Sequence, residues 1–245
     1  MGVRLIAFDR PGYGGSDRKF GRAVADAADD VAAIADALGI GTFAVLGRSG
    51  GGPHALACAA LLPDRATRVA ALVGLAPSGV DGLDWFAGMA EANVTGFSVA
   101  QLGHEALAER LGQAARRIRA DPNRMIAKLY ADLTESDRQV LADIGIRRML
   151  ADNYAEGLRL SADGWIDDVL AFMNPWGFDP SDITVPTLLW HGAEDRFTPA
   201  DHGVWLGDRI PTAISIVDPH RSHFDAIQML PNAINWLTSA SLDSD

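Results

Sequence analysis

A single cysteine, Cys58, stands among 245 residues. One thiol excludes an internal disulfide and any zinc centre built on cysteine thiolates. Positive charge is also scarce: 21 Lys+Arg against 32 Asp+Glu leave a formal net charge of −11. Nucleic acid and anionic membrane surfaces both reward clustered positive charge, so neither is expected as a partner. No apolar run approaches the roughly 20 residues that a membrane-spanning helix needs. No basic segment with an apolar run and a small-residue cleavage site opens the chain, so a cytoplasmic location is expected. Internal repeats and low-complexity tracts are missing too. What is there is ordinary for a folded protein, 48% hydrophobic and 22% charged, which argues against disorder. A chain of this length needs no metal or disulfide staple, and one α/β domain accommodates it most simply.

Short apolar or β-branched runs alternate with longer helical patterns, the signature of a parallel sheet with crossover helices. The expected strands are Val3–Phe8, Thr42–Gly47, Val69–Leu75, Val185–His191 and Ala213–Val217. They are nearly continuous apolar runs, as strands covered on both faces require. Helices are expected at Arg22–Leu38, Gly50–Leu62, Pro199–Arg209 and Phe224–Thr238. Thr198 before Pro199 reads as an N-cap, and Gly39 stands where a helix-ending glycine belongs. The stretch from Ser78 to Ile183 does not alternate. It reads as successive helices, with Thr134-Glu-Ser-Asp137 resembling a capping box and Asp121-Pro122 a helix start. An all-helical insertion of this kind predicts a cap, giving a core of residues 1–79 and 180–245 and a helical cap of residues 80–179.

The strongest chemical signal is Gly47-Arg48-Ser49-Gly50-Gly51, a G-x-S-x-G pattern between an expected strand and an expected helix. Such a turn is tight and strained, and glycines remove the side chains that would collide there, so the serine hydroxyl stands above the sheet. The Gly50 N–H, at the helix N-terminus, would point at a developing oxyanion. A serine hydroxyl is a weak nucleophile until a base takes its proton and a third group orients that base. Asp195 lies just past the fourth expected strand and His223 just past the fifth, at the strand ends where α/β sheets build their sites.

Four segments together resemble the α/β-hydrolase fold family: Asp9-Arg-Pro-Gly-Tyr-Gly-Gly-Ser16 with Phe8 before it, the turn around Ser49, Pro186 through Pro199, and His223-Phe224. The resemblance implies an α/β-hydrolase fold with a mostly parallel sheet and a helical cap. It also implies Ser49 as nucleophile, Asp195 as orienting acid and His223 as base. The family usually has Gly before its histidine, where this chain has Ser222. His220 is therefore a rival base, and Asp81, just past the third strand, a rival acid. The chain begins almost directly on the strand before Asp9, so it is expected to be N-terminally shortened. The family's earlier strands, and the His-Gly loop that gives the second oxyanion donor, have no counterpart. Val3–Phe8 and Thr42–Gly47 should then either pair directly or stand apart with an apolar face exposed.

The expected function is a serine hydrolase cleaving a carboxylic ester or related acyl compound with an apolar moiety. It uses no cofactor and no metal. A catalytically weak or silent binding protein of the same fold is the alternative, and an aminopeptidase or amidase a further one. Haloalkane dehalogenation is disfavoured, since that chemistry resembles cases with Asp in place of the serine. The small-molecule substrate is the expected partner, and self-association stays open. Cys58 reads as an inert core thiol, His54, His104 and His202 lack metal spacing, and His191 reads as a loop-bonding residue. Arg48 is expected to bond loop carbonyls rather than an anionic substrate.

Overall fold

The computed structural model describes residues 2–239. In chain order the elements are α1 (Asp26–Ala37), β1 (Phe43–Arg48), α2 (Gly51–Leu61) and β2 (Ala66–Leu72). Six helices follow: α3 (Glu91–Ala100), α4 (His104–Ala120), α5 (Asn123–Leu129), α6 (Glu135–Ala142), α7 (Ile144–Gly157) and α8 (Asp163–Met173). The chain then returns through β3 (Thr187–Gly192), α9 (Ala200–Gly207), β4 (Ala213–Asp218) and α10 (Ala226–Thr238). The strands form one parallel sheet in the order β1-β2-β3-β4.

Strand side chains alternate between the two faces, and each face meets different helices. Val69, Ala71 and Leu189 pack with Leu56 of α2 and with Trp205 and Leu206 of α9. Ala70, Leu72, Leu188 and Trp190 pack with Ala226, Ala233 and Leu237 of α10. One helix cannot span the second face: α10 packs on β1, β2 and β3. Ile214 and Ile216, in register with Leu188 and Trp190, stay 52% and 43% exposed. Of the six helices between β2 and β3, α4 and α8 share one core, while α5, α6 and α7 pack with Phe197 and Phe224 in another. Leu107, Leu111, Ala115 and Ile118 recur at helical spacing along α4 and meet Ile166 and Val169 of α8. No helix among the described residues is long and apolar enough to cross a membrane.

Three expectations need correction. Val3–Phe8 is not a strand: among the described residues β1 pairs with β2 alone, and the segment stands apart from it. A strand exists only where a neighbour takes its N–H and C=O groups, and without one Leu5 is left 76% exposed. β2 stops at Leu72 rather than Leu75, because Val73 adopts φ 47° and leaves the extended ladder. Thr198 is not the cap of α9, whose N-cap is Pro199; its hydroxyl is used elsewhere. By contrast Gly39, at φ 66°, ends α1 in the left-handed conformation that favours glycine. The capping box at α6 is present, with Asp137 N–H donating to Thr134 Oγ1 at 3.2 Å and Thr134 N–H to Asp137 Oδ2 at 3.3 Å.

Candidate active site

The carboxyl ends of the strands converge on one edge of the sheet. Ser49 follows β1, Asp195 follows β3 and His223 follows β4. Ser49 and Val73, past β1 and β2, have positive φ, 53° and 47°. A non-glycine residue there is uncommon, and a β-branched one is strained. Both are held by neighbours: Ser49 N–H donates to Leu72 O at 2.8 Å, and Val73 N–H to Trp190 O at 2.7 Å. The first glycine of the turn is sterically required, since a Cβ on Gly47 would lie 2.2 Å from Gly51 O. The last glycine is not, because a Cβ on Gly51 would meet open space. Across the turn, a Cβ on Gly52 would come within 2.9 Å of Gly74 Cα, so glycine lets α2 approach the end of β2.

Asp195 and His223 are paired. His223 Nδ1 lies 2.8 Å from Asp195 Oδ2, and both side chains are buried. The carboxylate also accepts from Phe197 N–H at 2.8 Å and Thr198 N–H at 2.9 Å, both on Oδ1. Burial alone would raise the Asp195 pKa. The charge and hydrogen bond of His223 and the Thr198 amide outweigh it, so the pKa falls below the ordinary carboxylate value. The Thr198 hydroxyl sits 2.8 Å from Val73 O, 3.1 Å from Asp195 Oδ2 and 3.2 Å from His223 Nδ1. With Nδ1 turned to the carboxylate, Nε2 is the nitrogen left to act as a base. Among the described residues the Ser49 hydroxyl has no hydrogen-bond partner, so the serine is brought to the same edge but not joined to His223. Arg48, the residue before it, does reach: its Nη2 donates to His223 O at 3.3 Å, and its guanidinium lies over the Phe224 ring at 5.4 Å. Burial lowers the Arg48 pKa, and its Nε has no partner among the described residues.

The rival residues are elsewhere. His220 is exposed, and its backbone N–H donates to Asp218 at 3.2 Å. Asp81 is exposed and contributes its carbonyl, which accepts from Trp205 Nε1 at 2.9 Å. His191 bonds Gly74 O at 3.0 Å, and burial lowers its pKa. Cys58 is 1% exposed, and burial pushes its thiol up to about 12. No cluster among the described residues could hold a metal ion. A cavity of about 520 Å³ opens on the Asp195 side, lined by Ala87, Gly88, Thr134 and Pro199 among others. Neither Ser49 nor His223 lines it.

Two groups around the site escape sequence reasoning. Thr198 carries an N-cap signature, and no spacing reveals that its hydroxyl is drawn to Asp195 instead. Asp168, on α8, is fully surrounded: Arg10, Arg22, Tyr13 and His54 all turn polar atoms to it. His54 lies on α2 one turn beyond Ser49, and Arg10 and Tyr13 belong to the Asp9–Ser16 segment. That segment is therefore tied to α8 through a buried ion cluster.

The sequence model of the alpha/beta hydrolase fold matches residues 2–228. A pimeloyl-[acyl-carrier protein] methyl ester esterase from Nitrosomonas europaea is 29% identical over 224 residues, 90% of this chain and 78% of that protein. Among solved structures, an enol-lactonase from Burkholderia xenovorans superposes with a TM-score of 0.62 at 21% identity, covering 93% of this chain and 78% of the other. A bromoperoxidase from Bacillus anthracis superposes at 0.64 with 19% identity, covering 93% and 79%. The parallel sheet, the strained serine turn and the family match agree: this chain belongs to the α/β-hydrolase fold family.

Proposed function

We propose that the protein is a serine hydrolase acting on a carboxylic ester with an apolar moiety. The observation that carries this reading is the 2.8 Å pair of Asp195 and His223 at the sheet edge where Ser49 sits at positive φ. The esterase relative supports it. In this mechanism Ser49 Oγ attacks the ester carbonyl while His223 Nε2 takes its proton. The Gly50 N–H, ahead of α2, stabilises the oxyanion. Asp195 holds the Nδ1–H and stabilises the imidazolium. His223 then returns the proton to the leaving alcohol, and water, activated by the same nitrogen, releases the acid and frees Ser49. Residues 80–179 act as a cap over Ser49, with apolar side chains of α3 and α8 facing the acyl chain. Phe172 is one candidate, since its ring lies 3.2 Å from the position of a Cβ on Gly50.

A fluorophosphonate probe tests the reading, because a nucleophilic serine displaces its fluoride and keeps the phosphonyl group. Wild type should be labelled at Ser49 and should hydrolyse p-nitrophenyl acetate. Ser49→Ala should lose labelling and about 10⁴–10⁶ of the turnover while the fold survives. Equal labelling of the variant would refute the nucleophile. A wild type that folds but takes no label would favour a binding role, which the unengaged Ser49 hydroxyl also suits.

A further inference from the structure

The turn that carries His223 is gripped by a helix 87 residues away in sequence. Asp137, in the first turn of α6, is 0% exposed and spends both carboxyl oxygens there. Its Oδ1 accepts from Phe224 N–H at 2.8 Å, and its Oδ2 accepts from Ser222 Oγ at 2.7 Å. These are the two residues flanking His223. The preceding residue of α6 repeats the contact: Ser136 Oγ donates to Asp225 Oδ2 at 2.6 Å, and the same oxygen accepts from Ser222 N–H at 2.8 Å. Arg48 also donates to the His223 carbonyl, at 3.3 Å. Asp137 is itself fixed, because Thr134 ties it into the capping box.

A histidine ring is aimed by the main chain on either side of it. Catalytic groups must be held within about 0.5 Å and 10–20° of the productive geometry, and a misplacement of about 1 Å can cost 10²-fold in rate. We propose that Asp137 is a positioning residue for the base: its bonds to Ser222 and Phe224 keep His223 Nδ1 on Asp195, so α6 sets the catalytic geometry. The proposal rests on the triad reading above. It also gives Ser222 a reason to stand where the family usually has glycine. A glycine there would lose the hydroxyl that reaches Asp137.

The rate of fluorophosphonate labelling, resolved into kinact and KI, tests this well below the melting temperature of each variant. Asp137→Ala should lower kinact by about 10–100-fold and leave KI within about twofold. Leu111→Ala, in the core of α4 and α8, destabilises the neighbouring helices without touching the turn and should label at the wild-type kinact. A merely structural Asp137 would behave like Leu111. Should Asp137→Ala not fold, Ser222→Ala removes one of the two bonds and should lower kinact about 3–10-fold, within the same positional cost. Wild-type kinact in Asp137→Ala, or in Ser222→Ala where that variant stands in, overturns the proposal. Ser49→Ala labelled like wild type would instead refute the triad itself, and the two failures are thereby distinct.

Discussion

Two buried carboxylates, Asp195 and Asp168, differ in what surrounds them. Asp195 meets one imidazole, two backbone amides and a threonine hydroxyl. Asp168 meets two guanidiniums, an imidazole and a phenol. Burial opposes the charged form in both, and both carboxyl pKa values nevertheless fall. The partners decide what each can do. Two guanidiniums, which never give up their protons, keep permanent positive charge against Asp168 and tie it to the Asp9–Ser16 segment and to Arg22. Asp195 has no guanidinium bonded to it; its partner His223 is of the side-chain type that takes and returns protons in general acid–base catalysis. On the proposed mechanism one carboxylate should hold the fold and the other the reaction.

Substitution should separate the two roles. Asp195→Asn keeps an acceptor for the amides of Phe197 and Thr198 but loses the charge that stabilises an imidazolium. Its esterase activity should fall by about 10⁴, measured as turnover of p-nitrophenyl acetate. Asp168→Ala should act on stability instead. It strands Arg10 and Arg22 without their shared partner, a change that costs about 3–5 kcal/mol for a buried ion pair. At roughly 2–4 °C per kcal/mol for a chain of this size, the melting temperature should drop by about 6–20 °C. The molecules that remain folded should keep their activity within a few-fold. If Asp168→Ala instead inactivated a fully stable protein, or Asp195→Asn only destabilised it, the division of labour would be wrong.

The two carboxylates also differ in how well the sequence discloses them. Asp195 is legible because a strand end, a turn and a downstream histidine follow in a recognisable order, as does Ser49 between its glycines. The alternation of apolar runs likewise discloses β1, β3 and β4 and the helices around them. Asp168 is not legible: its partners Arg10 and Arg22 lie 158 and 146 residues away, and no local pattern encodes a contact made by tertiary packing. Asp137 is half legible. The capping box with Thr134 is written locally, but the same carboxyl's bonds to Ser222 and Phe224 are not. Val3–Phe8 fails in the opposite sense. Its apolar, β-branched residues have strand propensity, yet propensity yields no strand without a neighbour to complete the ladder.

The surroundings of Asp195 contain a further contrast that pH can expose. Near it lie two buried imidazoles, His191 and His202. Burial, then the nearby His191, lower the His202 pKa to about 4, against the carbonyl of Trp85, which pulls the other way. Its hydrogen bonds fix the neutral tautomer: Nδ1 accepts from Ala76 N–H at 3.1 Å, and Nε2 donates to Trp85 O at 3.1 Å. A proton on Nδ1 would face the Ala76 N–H. Below about pH 6.5 the unfolded chain binds a proton here that the folded chain refuses until about pH 4. The unfolded state thus binds more protons through that window, and stability rises with pH across it. On acidification from about 6.5 to 4, His202 alone should remove roughly 3 kcal/mol, and His191, lowered by burial, acts in the same direction. The paired carboxylates Asp195 and Asp168 lose their contribution only lower, below the unfolded carboxyl value of about 3.9. Urea unfolding at several pH values should therefore show stability falling well before the carboxylates protonate. His202→Asn, which keeps an acceptor for Ala76 N–H, should flatten much of that slope. An unchanged slope in the variant would place the proton uptake elsewhere.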